Sequence, residues 1–226
     1  MNFLSHFYID HDNEDPYFTT GAILPDLAKI YNNTWRLKDP LEEFDHDNLL
    51  QIHKGVNRHY AIDAKFHNTG FFKENSDLIL NRLKSEQFEG IEKYKYFLAH
   101  ILLELLMDRL LVIENKAIGD KFYSLLKDTD QKFLSMYLKN FTFVYESGEF
   151  LSFFNRFIIS EYLNDYAIID KFLFALNRTW SRANKTEFTI SDSKKLLQII
   201  NDLEKELSTK YLDFLDVFRQ YHHQHV

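Results

Sequence analysis

His59, Asp63 and His67 fall at i, i+4 and i+8 of one segment, and His100, Glu104 and Asp108 repeat that spacing in another. Four-residue steps place side chains on roughly one face of a helix. Two imidazoles and a carboxylate on such a face suit a borderline divalent ion such as Zn²⁺, Mn²⁺ or Fe²⁺. HExxH helices use the same logic, an i, i+4 pair supplying two ligands. The second trio interrupts FLAHILLELLMDRLLVI (97–113), the most hydrophobic run of the chain. Three ionisable groups there are costly unless they are paired or bind a metal. The expectation is therefore that two helices present a metal site to each other. Plainer alternatives exist: the first trio as a solvated face near Lys54, Arg58 and Lys65, and the second as a buried ion-pair network in which Asp108 meets Arg109 or a distant arginine.

A third element comes from the N-terminal region. His6 sits within NFLSHFY, and Asp26 follows GAILP near the opening of a helix. Each also has a structural reading, as a core histidine bonded to a carbonyl and as an acid compensating a helix dipole. Arg178, Arg182 and Lys185 form a basic stripe at i, i+4 and i+7, suited to a phosphate group or an acidic helix, or simply to solvent. His222, His223 and His225 lie at the end of the sequence, and EFDHDN (43–48) lacks EF-hand spacing. The chain shows no glycine-rich phosphate cradle and no GxSxG elbow, so nucleotide binding and serine catalysis of the usual kinds drop out. With no cysteine, thiolate chemistry and disulfides are excluded.

The elements that must position these residues read as helices. Six glycines and three prolines in 226 residues are too few for a turn-dense β-sandwich. The pattern predicts a short apolar segment over 2–9, a helix capped at Thr19 or Thr20 with Pro25 tolerated in its first turn or so, and a loop or mobile excursion over 31–48. Helices follow over 49–67, 71–84, 91–114, 119–127, 129–145, 150–164, 167–183 and 191–221, the last capped at Ser191-Asp192. The expected fold is all-α, one domain over 1–226, a bundle of about eight helices. Twenty-two Phe and 13 Tyr imply an aromatic core. A net charge of −7 argues against a general nucleic-acid binder, and the 97–113 run is too short and too charged to span a bilayer. The first residues lack the basic region of a signal peptide, so a cytoplasmic protein with no membrane or nucleic-acid partner is expected.

Taken in order, Asn2-Phe3-Leu4-Ser5-His6, Gly21-x-x-Leu24-x-Asp26, Gly55-Val56-x-x-His59-x-x-Ile62-Asp63 and Leu176-Asn177-x-x-x-Ser181-Arg182 form a pattern. It resembles the acyl carrier protein phosphodiesterase family, an HD-domain-like all-helical group. The likeness runs through Tyr162-Leu163 and Tyr166 and so covers most of the chain, its N-terminal blocks being the most specific. Departures are Tyr60 where the family usually has Arg, His67 where it tends to have Asp, and His100 with Glu104-Leu105 where it shows an Asp followed four residues later by Asp-His.

The resemblance implies a phosphodiesterase that releases 4′-phosphopantetheine from the serine of holo-acyl carrier protein with a divalent metal, Mn²⁺ first and Mg²⁺, Fe²⁺ or Zn²⁺ as alternatives. Asp26, His59 and Asp63 would be catalytic. His6, Asp26, His59, Asp63, His67, His100 and Glu104 would hold metal, and Arg58, Arg178 and Arg182 would contact phosphate or the acidic carrier. The alternatives are a non-catalytic helical binding module on the same scaffold and a metal-dependent phosphohydrolase with another substrate.

Overall fold

The computed structural model describes residues 1–38, 40–141, 147–184 and 186–223, the side chains of residue 147 and residues 221–223 excepted. Lys185 and His225 lie outside the described residues. Among those residues the fold is all-α, as expected, with no strand. The α-helices of the described residues number eleven rather than about eight: α1 Phe3–Ile9, α2 Pro16–Tyr31, α3 Asp47–Phe66, α4 Gly70–Ser85, α5 Lys95–Glu114, α6 Ala117–Lys127, α7 Gln131–Leu138, α8 Ser147–Ser160, α9 Ile169–Asn184, α10 Ile190–Leu207 and α11 Tyr211–His223. No helix among the described residues is long and apolar enough to cross a membrane.

Local chemistry explains where the boundaries differ from the pattern. α2 begins before Thr19, because the Asp15 carboxylate accepts from the Tyr17 and Phe18 amides and Pro16 supplies a preset first residue. Pro25 therefore lies inside the helix and not in its first turn. α7 stops at Leu138, and residues 142–145 of the longer helix expected there lie outside the described residues. The expected 191–221 helix is two helices broken at 208–210. α10 starts from Thr189, whose hydroxyl accepts from the Asp192 amide while the Asp192 carboxylate accepts from the Thr189 amide. Asp192 is thus the third residue of a capping box, and it also accepts from the Glu89 and Gly90 amides.

The chain divides into two compact units. One holds His6–Ala64 and Ala117–Tyr162. Its core joins Phe7, Ile23, Leu24, Leu27, Ile52 and Val56 to Phe122, Tyr137, Phe150 and Phe154, all buried. The 31–48 segment belongs here. After Tyr31 its described residues form no helix before Asp47, as expected, but it is anchored rather than a free excursion: Trp35 and Leu37 are buried, and the Leu41 amide donates to the Asn140 carbonyl.

The other unit holds Met1–Ser5, Lys65–Lys116 and Leu163–Val226. α5 is buried on nearly every side, which accounts for its continuous apolar run. Its two central charges are both satisfied. Arg109 pairs with Glu204 (Nε–Oε1 2.5 Å) and donates to the Tyr166 carbonyl. Asp108 is fully buried, and among the described residues its partners are neither Arg109 nor a candidate metal group. Its Oδ1 accepts from the Ser5 amide (2.8 Å) and hydroxyl (2.6 Å), and its Oδ2 from the Leu4 amide (3.0 Å) and the Asn2 side chain (2.8 Å). With four donors on its two oxygens, Asp108 is a tether for the N-terminal segment, and its expected share in a metal site is withdrawn.

Burial pushes the Asp108 carboxyl up to about 6 from the ordinary 3.8, against the pull of the Ser5 and Leu4 donors. A raised acid contributes stability that is full below the unfolded value and lost as pH rises through the folded one. At 1.36 kcal/mol per unit this amounts to ~3 kcal/mol lost between pH 4 and pH 7. Asp108→Asn cannot titrate, so urea denaturation should find the gap between wild type and variant wider at pH 4 than at pH 7 by about that amount. An unchanged gap would mean that Asp108 stays ionised throughout.

Candidate metal centres

The first group is assembled by the crossing of α2 and α3. A Cβ added to Gly21 would lie 2.1 Å from the Ile52 carbonyl oxygen, and one added to Gly55 would lie 2.2 Å from that of Phe18. Only glycine permits this approach of two backbones. The crossing lays the Ala22 carbonyl against His59, which hydrogen-bonds it through Nδ1 at 2.8 Å. A carbonyl only accepts, so Nδ1 carries the proton, and in the neutral ring Nε2 offers its lone pair. That nitrogen faces Asp26 Oδ1 at 3.7 Å. His6, buried like His59, stacks on the His59 ring with centroids 4.1 Å apart, and its Nε2 lies 3.9 Å from Asp63 Oδ1.

Separations of 3.7 and 3.9 Å exceed a hydrogen bond. They approach the distance between two ligands of one ion, about 3–3.5 Å for bonds near 2.1 Å. His6, Asp26 and His59 each offer one ligand atom, and these atoms lie within 4.8 Å of one another. Two imidazoles with one or two carboxylates fit a divalent ion, and the Ala22 carbonyl supplies the outer contact that usually orients a ligating histidine.

The second group lies in the other unit. His67 Nε2, His100 Nε2 and Glu104 Oε1 are 3.1–3.2 Å from one another. The α-amino nitrogen of Met1 approaches the same Glu104 oxygen at 3.0 Å. Burial raises the Glu104 carboxyl, but the Met1 ammonium, His100 and His67 outweigh it and hold the group well below the usual carboxylate range.

The two spaced trios thus do not form one centre. His59 and Asp63 belong with His6 and Asp26, whereas His67 belongs with His100 and Glu104. Only a straight helix running through His67 would place all three residues on one face. α3 ends at Phe66, whose carbonyl accepts from the Thr69 hydroxyl, and Thr69 in turn caps α4.

Arg58 makes a bidentate pair with Asp10, both bonds 2.8 Å, so its fork is already engaged. Arg178 and Arg182 lie exposed on α9, where Arg182 bonds the Arg178 carbonyl and the Thr179 hydroxyl. In EFDHDN, His46 packs on the Phe133 ring and accepts from the Asn48 amide. One cation escaped notice in the sequence: exposed Lys38 places its ammonium 4.7 Å above the ring of Tyr60, the neighbour of His59. Burial raises the Tyr60 hydroxyl, while the Leu37 backbone and the charge of Arg36 work the other way and Asp26 adds to the rise. The anchored 31–48 segment thus brings positive charge beside the first group. Lys38 sits among acidic and asparagine residues in the sequence, and nothing there marks it.

Comparison of the chain with protein-family models, curated proteins and solved structures gave no match.

Proposed function

We propose that the chain is a metal-dependent phosphodiesterase whose centre is His6, Asp26, His59 and Asp63, and that it releases 4′-phosphopantetheine from holo-acyl carrier protein. The observation that carries this reading is the His59 ring, pinned at Nδ1 by Ala22 with Nε2 turned toward a carboxylate beyond bonding range. The substrate and the first choice of Mn²⁺ both rest on the resemblance carried by the sequence blocks around His6, Asp26 and His59, and two imidazoles with two carboxylates suit such a divalent ion. A divalent ion there would supply Lewis acidity, lowering the pKa of water and neutralising phosphoryl charge. The residues of the chain do the rest. Ala22 fixes the tautomer of His59, and His6 stacks to hold its plane. Asp26 and Asp63, each partly exposed, would orient a water or take its proton. Lys38 would meet a phosphate oxygen, filling the role of the arginine absent at Tyr60.

The test is to incubate holo-acyl carrier protein with the metal-loaded chain and Mn²⁺ and to follow the mass change to the apo form. Conversion by wild type and its loss in Asp26→Asn, which keeps the side-chain shape, is the expected result. No conversion of the carrier, together with hydrolysis of bis(p-nitrophenyl) phosphate, would overturn the substrate and leave a phosphodiesterase of another specificity. Inertness toward both would overturn the enzyme reading.

A further inference from the structure

We infer that His67, His100 and Glu104 form a second divalent-cation site, with ligands distinct from those of the His59 group and a preference for Zn²⁺ or a similar borderline ion. The three ligand atoms make a nearly equilateral triangle, with edges of 3.2, 3.1 and 3.1 Å. Glu104 Oε1 also accepts from the Met1 ammonium at 3.0 Å, which a bound ion would displace, but hydrogen bonds serve the contact between the two imidazoles poorly. Each imidazole Nε2 has one in-plane direction for its proton or lone pair, and its two neighbours stand about 60° apart. A bond aimed well at one neighbour is therefore misaligned to the other. An ion about 1 Å off the plane would lie about 2.1 Å from all three atoms, the bond length of Zn²⁺ to nitrogen and carboxylate oxygen.

The surroundings are those of a built site. Phe72 stands edge-on to His67 and to His100, with centroids 4.7 and 5.0 Å away, and so limits the movement of both rings. Glu104 and His100 share a face of buried α5, while His67 belongs to the junction between α3 and α4. The side chains of His67 and His100 remain 28 and 31% exposed, so an ion can enter from solvent. Two imidazoles and one carboxylate favour Zn²⁺, Co²⁺, Ni²⁺ or Fe²⁺ over Mg²⁺ or Ca²⁺, and three protein ligands leave a position open for water. An ion there would link α5 to the start of α4 within one unit and favour the folded state by mass action.

The test counts Zn²⁺ bound to the full chain after chelator stripping, by titration calorimetry and metal analysis, in wild type, His59→Ala, His100→Ala and Glu104→Gln. Any ion held by His222, His223 and His225 is common to all four proteins and cancels in the comparison. His100→Ala and Glu104→Gln should each bind one ion fewer than wild type, or bind it at least about 100-fold more weakly, with circular dichroism unchanged. Glu104→Gln keeps the size and one accepting oxygen while removing the charge, so it reports on the ligand even if His100→Ala folds poorly. Zn²⁺ binding at wild-type strength and number in a folded Glu104→Gln or His100→Ala would overturn the site. A deficit in His59→Ala alone would leave the first centre standing without the second, and a deficit in His100→Ala and Glu104→Gln alone would leave the second without the first.

Discussion

A Gly55→Ala variant should unfold about 6–12 °C below wild type and lose metal at the His59 group. Alanine in the interior of α3 would ordinarily add stability, about 1 kcal/mol over glycine. Here the new methyl would stand 2.2 Å from the Phe18 carbonyl oxygen and 2.7 Å from the Ala22 amide nitrogen. Both are helix backbone, with no flexible end to swing aside. Overpacking against such rigid neighbours costs ~4 kcal/mol, ~3 kcal/mol net of that gain, and each kcal/mol moves the midpoint of a chain this long by about 2–4 °C. The same displacement separates α3, which carries His59 and Asp63, from α2, which carries Asp26 and the Ala22 carbonyl. Gly21→Ala should behave alike, since its methyl would meet Ile52 at 2.1 Å. Gly148 has no atom within 4 Å of an added Cβ, so Gly148→Ala is the control and should melt at or slightly above the wild-type temperature. Calorimetry on the three variants checks this; a Gly55→Ala protein as stable as Gly148→Ala would contradict the crossing.

His59→Ala should weaken Mn²⁺ binding at the first group by more than about 100-fold, because it removes a ligand together with the contact that orients it. His67→Ala should leave that binding unchanged, although the two histidines are eight residues apart on what the sequence presents as one helical face. Titration of Mn²⁺ followed by electron paramagnetic resonance distinguishes the variants. Equal losses in both would restore the single centre expected from the spacing.

Much of the fold is legible in the sequence because it rests on local rules. The apolar run of 97–113 and the stripe from Leu196 to Leu207 become α5 and α10, and the scarcity of glycine and proline excluded β architecture. Helix ends were harder to read. Thr19 and Ser191 have capping side chains, yet Asp15 and Thr189 are the caps, since a cap is chosen by which amides are exposed and not by residue type alone. The sequence offered residues that the structure brings near one another, but not how they group. His6, Asp26, His59 and Asp63 come from three helices of one unit, and no spacing rule joins them. Only the glycines at 21 and 55, by marking where two backbones touch, hinted at how α2 meets α3. Asp108 misled because its spacing copied that of a ligand, while its partners lie about a hundred residues away, in the first residues of the chain. Lys38 was invisible because its neighbour Tyr60 is distant in sequence.

Anomalous diffraction from crystals of the chain soaked in Mn²⁺ would locate the ion of the first group. A peak is expected about 2 Å from His59 Nε2 and from a carboxylate oxygen of Asp26, with His59 Nδ1 still on the Ala22 carbonyl. No peak within bonding distance of His59, with its Nε2 hydrogen-bonded to Asp26 instead, would contradict a metal centre there.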